Sequence, residues 1–572
     1  MFYLHIVEMK SHTENISKNP RRKSVYLKSI GKTLAADSYP STIDGYWFVV
    51  KPGIILNTFD FVTVNNFKSK TIGLVQDIRA LPSTSSTKHG IIAASVAVTG
   101  NTGIKMKSGK LKPINLPVPT GISVRFSTKN EVLYALGVPD MESPIPAGII
   151  EMSNGLQIPV SLDITYLAGP DTAHMNATGI SGNKKTSYTL FLLQSLNQKL
   201  QNKNGKSNKS SNSISAIIFN TKADDLLYLH NKAKNIENDT EEAFRTLDLK
   251  LSAFNNVTYF LPRGTDGMPN SVHIPEYFKT YSFELGDIYD RLDLLFSGSL
   301  DLGGISSITN YLHEMWPIRD NSGETISNWT DLTKFDQYPK FVTYNRTLLQ
   351  DFISHIHQFR KSPLFVDQKK KSIYLGDQIK KIKANEIFVI DVSAIPSVEE
   401  QAFVIGDVFK SINELYSIGH ASRMNQVESS ISQSNIKKGP SAEKKSEIPK
   451  YMVIFLDEIN RFVPKSQHMS RLNPVADQIM RFVIEGRSRC NILLSAQQFK
   501  SETDFRLQEN IGLHVIGKLG ITELLAGPYY SMIDEQVKRN IARLERGEMI
   551  MVHPAFKHPV KIWFPDSSYQ RP

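Results

Sequence analysis

A single cysteine, Cys490, occurs among 572 residues, which rules out an intrachain disulfide framework and a cysteine-built metal site. Cys490 stands beside an apolar run and reads as a small core residue, the usual place of a lone thiol. The 14 histidines include no H-x₃-H pair or similar spacing of the kind that holds a metal. No apolar run approaches the roughly 18–20 residues needed to span a bilayer, so no membrane partner is expected. The apolar stretch at 2–7 is interrupted by His5 and followed by Glu8, too short for a secretory core, and the expected location is the cytoplasm. Acidic residues are the minority, 56 against 67 Lys and Arg, for a net charge of +11. That balance fits a polyanionic partner such as nucleic acid. Much of the excess lies in Lys/Asn/Ser-rich stretches, which also read as solvated loops.

What is present suits a folded chain of about two to four domains, with 40% hydrophobic and 22% charged residues. Residues 1–24 read as a flexible basic arm. Residues 25–168 read as an N-terminal β-barrel, with short β-branched runs at 46–50, 59–64, 71–78, 91–98 and 122–126 punctuated by Gly, Pro, Asn and Ser. From there the rhythm becomes strand–helix. The apolar runs at 214–219, 386–392, 451–456, 491–496 and 513–519 lack alternation, as strands buried on both faces do. The expected fold is α/β, a mostly parallel sheet with helices on each side, over 169–225 and 381–572. Residues 226–380 read as a mainly helical insertion. A helix is expected over about 398–417, the polar stretches 197–213 and 421–449 read as loops, and the last strands, "EMIMVH" and "VKIWF", read as an edge hairpin.

Two motifs carry chemistry. The first runs Gly179-Ile-Ser181-Gly182-Asn183-Lys184-Lys185-Thr186-Ser187, close to the pattern G-x-x-x-x-G-K-[ST]. Glycines let backbone N–H groups turn onto phosphate oxygens, and the following helix aims its N-terminus at the same charge. Lys185 reaches the β and γ phosphates of ATP, and Thr186 holds Mg²⁺. Lys184 occupies the second glycine's place, with Gly182 two residues earlier as a source of flexibility. An ordinary strand–helix turn is the plainer account of this segment alone. The second motif removes much of that ambiguity. In "YMVIFLDEIN" an apolar strand ends in Asp457 and Glu458, at the strand end where α/β sheets bind ligands. Asp457 anchors Mg²⁺ through water, and Glu458 polarises the attacking water. Further on, "EGRSRCNILLSAQQ" places Arg487 and Arg489 before a buried strand and Gln497 and Gln498 at its tip. A glutamine there can sense the γ-phosphate. An arginine there can reach a neighbouring subunit's phosphate, worth about 10³–10⁵ in rate, or serve only as a surface charge.

Taken together, these residues resemble the HerA/FtsK branch of ring-shaped DNA-pumping ATPases. The order is the same: a barrel with "WFVVKPG…DFVTV…KTIGLVQDI", a strand "GPDTAHMNATGISG" into the P-loop, an insertion, a DE strand, and "EGR" before Ser-x-Gln. The resemblance runs from about 40 to the end and is thin over 226–380. It implies an α/β P-loop NTPase core, RecA-like, over 169–225 and 381–572, with Lys185 and Thr186 for phosphate and Mg²⁺, Asp457 and Glu458 as anchor and catalytic carboxylate, Gln497 as sensor and Arg487 as the trans-acting arginine. Lys184 departs from the pattern, as do Gln498 and the strand end at Asn220, Asp224 and Asp225. Further implications are a homo-hexamer that threads double-stranded DNA and an effector partner, either a nuclease or a sirtuin-type NAD hydrolase in antiphage defence. Lys500 and Arg506 are offered as DNA contacts. Two other readings stay open: a nucleotide-holding ring scaffold that clusters an effector, and a nucleotide switch without DNA.

Overall fold

In a computed structural model, the chain is described over residues 28–36, 39–81, 90–105, 111–113, 116–170, 172–201, 213–298, 302–319, 325–334, 346–432, 449–465 and 473–572. The basic arm at 1–24 and most of the polar stretches (202–212 and 433–448) lie outside these residues.

The first strands are β1 (Gly31–Leu34), β2 (Gly45–Val50), β3 (Phe61–Asn66), β4 (Ser69–Leu81), β5 (Ile91–Asn101), β6 (Ile104–Lys105), β7 (Leu111–Lys112) and β8 (Ser123–Phe126). Six of them close into an antiparallel barrel in the order β1-β2-β5-β4-β3-β8, while β6 and β7 form a separate hairpin. Alternate residues fill the barrel, among them Phe48, Val62, Val64, Val96 and Val124, as the period-two geometry of a strand requires.

The remaining strands are β9 (Pro144–Glu151), β10 (Gln157–Asp163), β11 (Met175–Thr178), β12 (Ile214–Asn220), β13 (Val257–Pro262), β14 (Phe278–Tyr281), β15 (Ile387–Asp391), β16 (Tyr451–Leu456), β17 (Asn491–Gln497), β18 (Leu513–Ile516), β19 (Glu548–Val552) and β20 (Val560–Trp563). They form one sheet in the order β10-β9-β20-β19-β18-β11-β17-β16-β12-β15-β13-β14. Every pairing from β18 to β14 is parallel, and the β10-to-β19 end is antiparallel. The unbroken apolar runs follow from burial on both faces. In β16, Val453 and Phe455 enter one core cluster and Met452, Ile454 and Leu456 the other.

Four boundaries differ from the sequence reading. β9 and β10 lie within 25–168 yet join the large sheet through β20 instead of the barrel. Short alternating strands show which face is buried but not which sheet they enter. The β19–β20 hairpin is therefore not an edge. The segment 226–380 carries β13 and β14 as well as helices; four- and six-residue strands are too short to stand out from helical periodicity. The helix expected over 398–417 runs Val398–Ser432, because the polar residues after 420 include no Pro or Gly to stop it before Ser432.

Candidate nucleotide site

The central strand β11 is buried along its length and pairs in parallel with β17 and β18. The chain leaves it at Gly179, where an added Cβ would come 3.4 Å from the Gly517 backbone, so the loop lies tight against the turn after β18. Ile180 N–H donates to Lys518 O at 2.9 Å and Asn183 Nδ2 to the same oxygen at 3.3 Å. Gly182 turns with φ 80° and Lys184 with φ 53°. Both are left-handed, a conformation that costs a side-chain-bearing residue about 1–2 kcal/mol. Lys184 thus takes a glycine's conformation without being glycine. Its ammonium pairs with Asp566 at 2.6 Å.

The helix Lys185–Gln201 follows at once. Lys185 is 8% exposed and its Nζ donates to Ile180 O at 2.9 Å, closing the loop on itself. Burial lowers its pKa, Lys222 adds to the lowering, and Asp457 and Glu458 oppose it. Thr186 Oγ1 donates to Asp457 Oδ2 at 2.8 Å. That contact joins the two motifs across 271 positions. It follows from the sheet order, in which β17 alone separates β11 from β16. Glu458 turns with φ 53°. Its carboxylate meets Lys222 Nζ at 3.0 Å and Arg461 Nη1 at 3.2 Å, and Lys222 also lies 3.4 Å from Asp457. Burial works against the Lys222 ammonium, but the two carboxylates outweigh it and raise its pKa.

A cavity of about 310 Å³ opens here. Ser181, Gly182, Asn183, Lys184, Lys185, Thr186 and Ser187 line it, with Lys222, Asp225, Gln498, Arg546, Tyr569 and Arg571. Backbone donors, three lysines and a hydroxyl next to a buried carboxylate suit a polyphosphate and a hard divalent cation such as Mg²⁺.

Gln497 is not on this cavity. It is fully buried, donating to Asn176 Oδ1 at 3.3 Å and accepting from Thr503 Oγ1. Gln498, the first residue past the end of β17, lines the cavity in its place. Arg487 lies at the start of β17, at the far end from the P-loop, and donates to Asn510. Arg489 pairs with Glu485 at 2.9 Å. Cys490, expected as a small core residue, precedes β17 with φ 57° and is partly exposed. Asn220 and Asp225 both take part at the site, Asn220 through the turn that carries Lys222 and Asp225 on the cavity wall. The sequence reading missed Lys222 and the tail residues Tyr569 and Arg571. A charged turn after a buried strand was the available signal for Lys222; the tail carried none.

No protein-family model matches the sequence, and no curated protein matches it. Among solved structures, VirB4 of Thermoanaerobacter pseudethanolicus is similar over 74% of this chain and 96% of that one, with 14% identity and a TM-score of 0.42. The bacterial conjugative coupling protein TrwBdeltaN70 is similar over 74% and 91%, with 11% identity and a TM-score of 0.40. The genome packaging NTPase B204 of Sulfolobus turreted icosahedral virus 2, in complex with ATP-gammaS, matches over 34% and 74%, with 9% identity and a TM-score of 0.22. All three scores fall below 0.5, and the chemistry rests on this chain's own residues. No helix among the described residues is long and apolar enough to cross a membrane.

The two residues offered as DNA contacts fare differently. Arg506 is engaged by Asp504 at 2.8 Å but keeps a side chain 43% exposed. Lys500 is only 3% exposed, with its Nζ 2.9 Å from His514 Nδ1 and 5.4 Å from the centre of the Tyr530 ring. Polar neighbours in sequence made it look solvated; the packing of Tyr530 and Glu523 around it encloses it. Burial pushes its pKa down to about 7, against the pull of Glu523. Burial and the Lys500 charge lower His514 as well. Between about pH 7 and the unfolded value of 10.5, the unfolded chain holds the Lys500 proton and the folded chain does not. Stability therefore rises with pH across that window. Lys500→Met is expected to remove this share of the rise, measured as the urea midpoint at several pH values from neutral to alkaline. An unchanged slope would rule out the buried amine as its source.

Proposed function

We propose that this chain is an ATP-hydrolysing motor subunit of the HerA/FtsK type. The contact between Thr186 and Asp457 carries the reading, because it seats an acidic strand end directly against the phosphate-binding loop that lines the cavity. In it, Lys185 and the loop backbone hold the phosphates, Thr186 and Asp457 hold Mg²⁺, and Glu458 takes a proton from the attacking water. Bound Mg²⁺ would supply charge neutralisation at the phosphates. Gln498 takes the sensing role first given to Gln497. Arg487, tied to Asn510 and remote from its own P-loop, acts on the neighbouring subunit of a homo-hexamer. The ring engages double-stranded DNA through its backbone, which makes binding salt-dependent and nearly sequence-independent. It works in the cytoplasm with a nuclease or sirtuin-type NAD hydrolase, in antiphage defence.

One observation favours a second reading. Lys184 holds a glycine's backbone conformation under strain and is tied to Asp566, which suits a ring that keeps nucleotide and turns it over slowly while clustering its effector. ATP turnover with and without duplex DNA, with particle mass by light scattering, separates the two. A hexamer accelerated by DNA supports the motor. A hexamer that binds ATP with slow, DNA-independent turnover supports the scaffold, and a monomer that hydrolyses nothing rejects both.

A further inference from the structure

Ten residues other than glycine have positive φ among those described, and three of them, Lys184, Ala223 and Glu458, belong to three loops that meet here: the first two carry Lys184 and Lys222 on the cavity wall, and the third carries the carboxylates that pair with Lys222. Strain of this kind gathers where a side chain must be held in place for a task. For Lys184 and Glu458 the task follows from the motifs. Ala223, with φ 38°, has no such motif. Its turn is braced from two strands: Asn220 Nδ2 and Ser393 Oγ both donate to Ala223 O, at 2.6 and 2.8 Å, and Asn220 Nδ2 also reaches Asp391 Oδ1 at 2.9 Å. What this braced turn presents is Lys222.

Because β12 and β16 are neighbours in the sheet, Lys222 emerges beside Asp457 and Glu458. Its side chain remains 42% exposed and lines the same cavity as Lys185. In the free chain its ammonium serves as counter-ion to both carboxylates. A divalent cation held by Thr186 and Asp457 would offset part of the same charge, which would free the ammonium to turn to a phosphate. Lys222 sits on a flexible four-carbon stem, so its charge can move while its backbone stays fixed.

We infer that Lys222 is a second phosphate-binding lysine, which leaves the Asp457–Glu458 pair for the terminal phosphate and so distinguishes ATP from ADP. The inference rests on the reading of the cavity as an ATP site. Lys185, closed on its own loop, serves both nucleotides; Lys222, approaching from another strand, serves the triphosphate.

The test is calorimetric titration of the full-length protein with ADP and with a non-hydrolysable ATP analogue, at fixed Mg²⁺. Lys222→Ala is expected to weaken the triphosphate about 10–100-fold, the worth of a lost charge-assisted hydrogen bond, and to change ADP affinity by less than about threefold. Lys222→Arg, which keeps the charge, should recover part of the triphosphate affinity. Thermal melts within a few degrees of wild type show that the variants are folded. Equal weakening of both nucleotides, or of neither, overturns the role of Lys222 and leaves the ATP site standing, provided Lys185→Ala abolishes both. If the wild type binds neither nucleotide, the ATP site falls, and the role of Lys222 with it.

Discussion

Glu458→Gln is expected to lower ATP turnover by about 10²–10⁴-fold, the usual share of a general base, while ATP still binds. Glutamine keeps the size of the side chain and one acceptor oxygen but cannot take a proton from water. The position is already committed: Glu458 stands two residues after Leu456, the last residue of β16, in a left-handed conformation, with Lys222 and Arg461 on its carboxylate. Those ion pairs are partly exposed, so their loss costs at most about 1 kcal/mol of stability. A folded, ATP-binding and inactive protein is therefore the expected product, checked by single-turnover phosphate release beside equilibrium binding. A fall of only a few-fold would place the base elsewhere, with Asp225 on the same cavity the next residue to replace.

The parts of the site legible in the sequence are those encoded in consecutive residues. Lys185 and Thr186 start a helix directly after a glycine-bearing turn, and Asp457 and Glu458 end a run of six apolar residues. Each segment shows its strand end without reference to the rest of the chain. What was not legible depends on which strands lie side by side. Lys222 matters because β12 is hydrogen-bonded to β16, a pairing between segments more than 230 residues apart. Gln497 and Gln498 differ by one residue, and the point where β17 stops decides between them: Gln497 ends the strand inside the core, and Gln498, just past it, lines the cavity. Lys500 and Arg506 stand in similar sequence surroundings, yet packing encloses one and leaves the other partly exposed. The limits of the barrel failed for the same reason. β9 and β10 look like barrel strands one at a time, and only their pairing through β20 places them in the large sheet.

Lys185→Ala is expected to weaken ATP by about 2–5 kcal/mol, roughly 30- to 5,000-fold, the cost of deleting one partner of a desolvated charge pair. ADP should weaken too, since Lys185 reaches the phosphate that both nucleotides share. The free chain shows why the fold should survive. Among the described residues the Lys185 ammonium has one hydrogen bond, to Ile180 O, and burial works against its charge and lowers its pKa. Alanine loses one hydrogen bond to the carbonyl of a partly exposed residue, Ile180, and relieves a buried ammonium. Alanine also has the strongest helix propensity, and position 185 begins the helix. The melting temperature should therefore stay within a few degrees of wild type while nucleotide no longer raises it, since a ligand stabilises only the state it binds. The informative comparison is the shift in melting temperature with saturating Mg²⁺ and ATP. A wild-type shift that vanishes in Lys185→Ala places the phosphates on this loop. A shift of the same size in both proteins would put the nucleotide in another cavity. The neighbouring one of about 560 Å³, which shares Lys184, Arg546 and Arg571, would then be the place to look.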